Sequence, residues 1–153
     1  MANEVKKDRR LRILWNSNGF FTNSGYGVET KEILGRLLDD GWPVGHIAFY
    51  GLDSYPQMMD IPSPKGGQKI KVYPKMNDVY GSDALLHCGN DFKADVIFTM
   101  QDVWTLSPQM LQRMKTWISY MPIDKYPVPQ NVLVNLQFAY KIITFSQFGH
   151  DAL

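Results

Sequence analysis

Short, almost wholly apolar runs recur along this sequence and constrain its fold more than any other feature. They occupy residues 11–15, 44–49, 69–73, 95–100, 116–120 and 142–145. Amphipathic helix patterns lie between several of these runs, for example around Ile33 and Leu37. Strands that are apolar on both faces are typical of parallel sheets covered by helices, whereas half-exposed antiparallel strands alternate polar and apolar residues. The pattern predicts an α/β fold with a doubly wound, mostly parallel Rossmann-like sheet of about six strands.

The chain has 153 residues, enough for one such core. We expect a polar tail at residues 1–10 and a Rossmann-like domain at residues 11–153. The basic residues of the tail predict a solvated segment, and contact with an anionic partner or a membrane surface is the alternative. A net charge of +1 gives no global field that would attract nucleic acid. The single cysteine, Cys88, and the lack of a signal peptide or membrane-spanning run predict a cytoplasmic protein.

Polar residues follow several of the predicted strands, and in parallel α/β sheets ligands bind outside these carboxyl ends. Asp102 and Trp104 follow the fourth strand. A carboxylate beside an indole can bind a hydroxyl-rich ligand through hydrogen bonds and a flat apolar face. The alternative is that Asp102 caps a turn and Trp104 packs in the core. Asp124 presents a similar choice, because an aspartate in a proline-bounded loop often makes an Asx-turn.

A glycine-rich turn precedes the first predicted helix and contains Ser24, Gly25, Tyr26 and Gly27. Free N–H groups at a helix start, together with the helix dipole, can receive a phosphate. The alternative is that the glycines serve only the strand-to-helix geometry. The turn departs from a dinucleotide fingerprint, because Thr30 stands where Gly or Ala is expected and a long segment separates the strand from the first glycine.

Other site classes lack their sequence patterns. His46, His87 and His150 are scattered, so we assign no metal site. No P-loop motif and no nucleophile elbow occurs in the sequence. The Pro/Gly-rich connection at residues 53–68 predicts a long surface loop.

Four stretches together resemble one protein family: residues 19–27, residues 79–83, residues 95–104, and the block from 120–124 to 146–149. In this order they resemble the N-terminal half of a GT-B fold glycosyltransferase, similar to the nucleotide-sugar-dependent enzymes of glycosyltransferase family 4. The resemblance implies two Rossmann-like domains that face each other across a cleft. The N-terminal domain would bind mainly the acceptor, and the C-terminal domain mainly the nucleotide-sugar.

The resemblance also implies roles for particular residues. The turn of Ser24, Gly25, Tyr26 and Gly27 would lie near the donor diphosphate. The residues expected to line the cleft near the acceptor or the transferred sugar are Asn18, Asp102, Trp104, Asp124, Tyr126 and Ser146.

The paired glutamates and the basic residues that hold the diphosphate belong to the second domain in that family, and this sequence does not contain them. We therefore expect little or no transferase activity from the chain alone, no tightly bound cofactor, and a nucleotide-sugar donor only with a donor-binding domain. The expected partners are a saccharide or glycosylated acceptor, and a donor-domain chain or a second copy. Two other functions stay open: a non-catalytic interaction module with Trp104 and Tyr126 in a protein interface, and a dinucleotide-binding domain.

Overall fold

The computed structural model describes residues 9–153. Its strands are β1 (Ile13–Asn18), β2 (Val44–Tyr50), β3 (Gln57–Ile61), β4 (Gln68–Pro74), β5 (Val96–Met100), β6 (Trp117–Met121) and β7 (Lys141–Thr144). Its helices are α1 (Gly25–Asp39), α2 (Ala84–Phe92), α3 (Pro108–Leu111), α4 (Gln130–Leu136) and α5 (Gln147–Ala152). A single 3-10 turn, Val103–Thr105, lies between β5 and α3.

The described residues form an α/β fold with one seven-stranded sheet in the order β3-β4-β2-β1-β5-β6-β7. All neighbouring strands are parallel except β3 and β4, which are antiparallel. The prediction of a mostly parallel α/β sheet is confirmed, and the arrangement is consistent with a Rossmann-like fold. The predicted number of strands is wrong, because the sheet contains one more strand than the six that the apolar runs indicate.

The additional strand, β3, lies inside the connection that the sequence predicts to be a loop. Its residues alternate in burial, and Ile61 is fully buried while Met58 is exposed. A turn with Gly66 at a φ of +118° then brings the chain back into β4. Glycine accepts that conformation without strain. Prolines and glycines surround β3, and its alternating pattern covers only five residues. The prediction that residues 53–68 form a loop is therefore wrong for this strand.

Two apolar layers cover the sheet. On one face Leu34 of α1 packs with Ile13, Trp15 and Val44. On the other face α2, α3 and α4 pack over Leu14, Ile47 and Trp117. Helix α1 ends where the sequence predicts, with Gly41 at a φ of +80°. Val28, in the first turn of α1, is 50% exposed and lies outside the buried face that contains Leu34.

Strand β1 is longer at its carboxyl end than the apolar run indicates. Asn16 and Ser17, expected beyond the strand, pair with β2 and are fully buried. Their side chains find partners there: Asn16 Nδ2 donates to Gln101 Oε1 at 2.6 Å, and Ser17 Oγ donates to the carbonyl of Met100 at 3.1 Å. Buried polar groups that are hydrogen-bonded in this way do not end a strand.

The predicted polar tail falls mostly on residues 1–8, which lie outside the described residues. At its described end the Arg9 guanidinium donates to both carboxylate oxygens of Asp95, at 2.8 and 2.7 Å. The Arg12 guanidinium lies over the Phe92 ring and donates to its carbonyl. The Arg9 side chain stays 67% exposed while it makes its ion pair with Asp95.

Strand β7 is an exposed edge rather than a covered strand. Lys141, Ile142 and Ile143 are all exposed, although the apolar run predicts burial on both faces. Helix α3 is short: it covers a single turn from Pro108, and Met114 lies beyond its end.

Candidate functional site

A cavity of about 470 Å³ opens beyond the carboxyl ends of the neighbouring strands β5 and β6. Asp102 and Trp104 line it from the segment after β5, and Asp124 and Lys125 line it from the loop after β6. Residues near the start of α4 close the remaining side. The volume is in the range of small-molecule pockets. The structure therefore brings together Asp102, Trp104 and Asp124, three of the six residues expected to line a cleft.

Hydrogen bonds on the buried side fix the segment that carries Asp102 and Trp104. Gln101 is almost fully buried, and its Nε2 donates to Thr105 Oγ1 at 2.8 Å. Thr105 Oγ1 donates in turn to the carbonyl of Asp102 at 2.6 Å. Asp102 makes no side-chain cap to the turn that follows it. Trp104 is 53% exposed, so its indole presents a face to solvent instead of filling the core.

Burial raises the pKa of Asp102, and the nearby charge of Asp124 adds to the effect. A carboxylate surrounded by apolar groups and a like charge is harder to ionise. Burial also raises the pKa of Tyr26 to about 12, with further contributions from the charges of Asp102 and Asp124. Tyr26 is therefore a neutral phenol at physiological pH and faces the same acidic region as the cavity.

Aromatic contacts hold the start of α1 near this region. The Tyr26 ring meets Phe145 edge to face, with centroids 6.1 Å apart. Phe145 also contacts Tyr120 at 4.5 Å, and the Tyr120 hydroxyl donates to Glu29 Oε1 at 2.7 Å. These contacts attach α1 to the ends of β6 and β7, which explains why Tyr26, expected only in a phosphate-binding turn, lies near both aspartates.

Ser24 is the N-cap of α1, and its hydroxyl accepts a hydrogen bond from the Gly27 N–H at 3.0 Å. Capping of this kind satisfies one of the free donors at a helix start. The Gly27 N–H is therefore not available for a phosphate. Among the described residues, no acceptor contacts the N–H groups of Gly25 or Tyr26, so these two remain as donors at the start of the helix.

The two glycines of the turn differ in their surroundings. A Cβ added at Gly27 would lie 2.7 Å from the carbonyl oxygen of Thr22 and 2.8 Å from that of Gly19. A Cβ added at Gly25 would have no atom within 4 Å. Gly27 is therefore required by packing against the preceding segment, which is the structural alternative that the sequence leaves open. Packing gives no such reason for Gly25.

Three predicted cleft residues lie apart from the cavity. Asn18 donates from Nδ2 to Ser24 Oγ at 2.8 Å and lines a separate groove with Tyr50 and Tyr80. Ser146 is the N-cap of α5, and its hydroxyl accepts from the Gly149 N–H. Tyr126 is 73% exposed and does not line the cavity.

A larger cavity, of about 690 Å³, lies against β7 and α5. Its lining includes Ile142, Ile143 and Phe145, with Gln147 and His150 as polar neighbours and no acidic side chain. The cavity with Asp102 and Asp124 is therefore the better candidate for a polar ligand. Within residues 9–153 no cluster of three or more His, Cys, Asp or Glu side chains could hold a metal ion.

Sequence reasoning missed Lys125 and Asn131, which line the cavity, and Asn135, which donates to the backbone of the turn after Asp102. Lys125 stands between Asp124 and Tyr126 and could have been found by its place in the same proline-bounded loop. Asn135 is a buried polar residue within the apolar stripe of α4, a pattern that indicates a specific hydrogen-bonding role.

The cavity offers carboxylates that accept hydrogen bonds, a lysine that donates them, and an exposed indole face. This combination suits a hydroxyl-rich ligand with an apolar side. No helix in residues 9–153 has the length and apolar character needed to cross a bilayer. No family model, curated protein or solved structure matches this chain.

Proposed function

We propose that this chain is the acceptor-side domain of a nucleotide-sugar-dependent glycosyltransferase with a GT-B fold, similar to glycosyltransferase family 4. The observation that carries the proposal is the shared cavity of Asp102, Trp104 and Asp124. Carboxylates that accept from sugar hydroxyls and an indole that packs on a sugar ring are the groups an acceptor saccharide needs.

The order of the strands supports this function. From β1 the sheet extends one way through β2 and β4 and the other way through β5, β6 and β7. The sheet is therefore extended in opposite directions on the two sides of β1, and ligands of doubly wound sheets bind at such a switch point, here between β1 and β5. The cavity lies one strand further along, at the ends of β5 and β6. We assign the chain to one doubly wound half of a GT-B fold on this basis.

The start of α1 suits a contact with the donor diphosphate. The N–H groups of Gly25 and Tyr26 point from the first turn of a 15-residue helix, whose dipole favours a negative charge there. Preorganised N–H donors stabilise the charge that develops on a leaving diphosphate. The other groups that bind the donor would come from a separate donor-binding domain, so we expect the nucleotide-sugar to bind weakly to this chain alone.

A cytoplasmic setting belongs to the same proposal. Cys88 is free and buried, and its burial raises the pKa of the thiol to about 12. Such a cysteine behaves as a small apolar residue, and a lone unpaired thiol suits a reducing compartment.

The test is to combine the chain with a separately produced donor-binding domain of a family 4 glycosyltransferase. We expect the pair to release nucleoside diphosphate from a nucleotide-sugar faster than either part alone. Replacing Asp124 by Asn in the chain should reduce this release, whereas Asp60→Asn, on the far edge of the sheet, should not. A folded and associated pair that releases no more diphosphate than the donor domain alone would contradict the proposed function.

A second candidate function is a non-catalytic interaction module, and the exposed edge of the sheet favours it. Ile142 and Ile143 of β7 and Phe148 of α5 are all at least 40% exposed. An unpaired, apolar edge strand can add to a partner's sheet. If this is the main function, Ile143→Lys should abolish self-association or partner binding in sedimentation experiments, and Asp102→Asn should leave it unchanged.

A further inference from the structure

Asn135 is a polar side chain inside an apolar layer. It lies on α4 between the buried residues Val132 and Leu136 and is only 3% exposed. Its Nδ2 donates to the carbonyl of Val103 at 2.8 Å and to the carbonyl of Leu106 at 3.0 Å. Both N–H groups of the amide are therefore used, and both acceptors belong to one short segment of backbone.

That segment is the 3-10 turn Val103–Thr105 together with its C-cap, Leu106. It begins directly after Asp102 and contains Trp104. Buried hydrogen bonds also hold it from the side of the sheet: Asn16 contacts Gln101, and Gln101 donates to Thr105. Asn135 supplies the corresponding restraint from the helical layer.

Helix α4 also forms part of the opposite wall of the cavity. Asn131 and Val132, one turn before Asn135, line the cavity beside Asp124 and Lys125. Asn135 thus joins two walls that are distant in sequence. One wall carries Asp102 and Trp104, and the other follows β6 and carries Asp124.

We propose that Asn135 is a positioning residue that fixes Asp102 and Trp104 against Asp124 across the cavity. An asparagine suits this place because two N–H donors from one short side chain meet two carbonyls. Leucine has a similar volume and no donor, and aspartate offers only acceptors when ionised. The relevance of this position to acceptor binding rests on the proposed function, but the positioning itself does not.

The titration of Asp102 reports its position. The ionisable groups that face this carboxyl are Tyr26 from α1 and Asp124 from the loop after β6, and Lys125 lines the same cavity. If the turn is released, Asp102 gains contact with water and moves away from Asp124. Both changes make its carboxylate easier to form.

The test compares Asn135→Leu and Asn135→Ser with Val72→Ala. Val72 is fully buried in the apolar layer on the other face of the sheet, so its truncation destabilises the fold without touching the turn. NMR would follow the Asp102 carboxyl during a pH titration and the Trp104 indole N–H. We expect both Asn135 variants to lower the pKa of Asp102 and shift the Trp104 resonance, with the larger change for leucine, and Val72→Ala to change neither.

Two results separate this inference from the proposed function. An unchanged Asp102 titration and Trp104 resonance in folded Asn135 variants would overturn the positioning role and leave only a contribution to stability. Should Asn135→Leu not fold, the same criterion applies to Asn135→Ser. Saccharide binding is measured separately, so a positive titration result together with no sugar binding would refute the proposed function and retain the role of Asn135.

Discussion

Asp102 and Asp124 lie in the same cavity at the ends of two neighbouring strands, and the charge of Asp124 contributes to the raised pKa of Asp102. The fold creates this relationship because β5 and β6 are parallel, so both strands deliver the residues after them to the same edge of the sheet. The two aspartates make the cavity acidic, and their protonation states set the charge that a ligand encounters there.

The first prediction concerns this coupling. Asp124→Asn removes a negative charge near Asp102, so the pKa of Asp102 should fall. The measurement is an NMR titration of the Asp102 carboxyl. Asp60→Asn serves as the control, because Asp60 is exposed and paired with Lys69 on the opposite edge of the sheet. Equal Asp102 titrations in all three proteins would show that the two aspartates are not coupled.

The second prediction concerns the effect of Asp102 on stability. A carboxyl whose pKa is raised by folding stabilises the native state while it is protonated, and that advantage is lost as the pH rises through the folded-state pKa. Asp102→Asn does not titrate. The free energy of unfolding of the variant minus that of the wild type should therefore increase as the pH rises from 4 to 7. Urea denaturation measures both. A difference that stays constant with pH would argue against a partly buried carboxylate whose ionised form is destabilised by folding.

The third prediction concerns acid denaturation through His46. Full burial lowers the pKa of His46 from 6.5 to about 4, and its Nδ1 lies 3.0 Å from the carbonyl of Trp15. In this range His46 binds a proton in the unfolded chain but stays neutral in the native state. The free energy of unfolding therefore falls as the pH drops from 6.5 towards 4. The shift corresponds to about 3 kcal/mol.

His46→Gln should remove most of this loss of stability between pH 6.5 and 4, measured by denaturation at a series of pH values. Asp95 does not account for the same range, because Arg9 lowers its pKa below the usual 3.8, so its contribution is lost only at more acidic pH. A variant with an unchanged pH profile would mean that another group causes the acid sensitivity.

The fourth prediction separates the two glycines at the start of α1. Gly27→Ala places a methyl group against the backbone of Thr22 and Gly19, so the free energy of unfolding should fall by about 1–3 kcal/mol. Gly25→Ala meets open space and should be neutral or stabilising by up to about 1 kcal/mol. Thermal or urea unfolding of the matched pair tests this difference, and equal effects would contradict the packing seen around Gly27.

The sequence predicts the sheet well where strands are apolar on both faces and fails where other forces define the strand. β2, β4, β5 and β6 follow their apolar runs closely. β3 is not predicted because it depends on pairing with β4 more than on the hydrophobicity of its own residues. Asn16 and Ser17 continue β1 because pairing with β2 and a side-chain hydrogen bond from each hold them there, and a linear pattern does not show those partners.

The candidate site is predictable to a similar degree. Asp102 and Asp124 are found by the rule that ligands gather at strand ends, since both lie within three residues of the end of a parallel strand. Tyr126 and Ser146 also lie near strand ends. Tyr126 is exposed to solvent, and Ser146 is the N-cap of α5. A polar residue in the apolar stripe of α4 marks Asn135, but the two carbonyls that it contacts lie in a distant turn and are not contained in any local pattern.

The measurement that tests the central claim most directly is an NMR titration of the labelled chain with an array of mono- and oligosaccharides. If the chain binds an acceptor sugar, at least one saccharide should shift Asp102, Trp104 and Asp124 together, and Trp104→Ala should weaken that binding by tenfold or more, which corresponds to about 1.4 kcal/mol. Residues of the β7 edge should not respond. No shift in these three residues with any saccharide, or shifts confined to β7, would contradict the assignment of this cavity as an acceptor site.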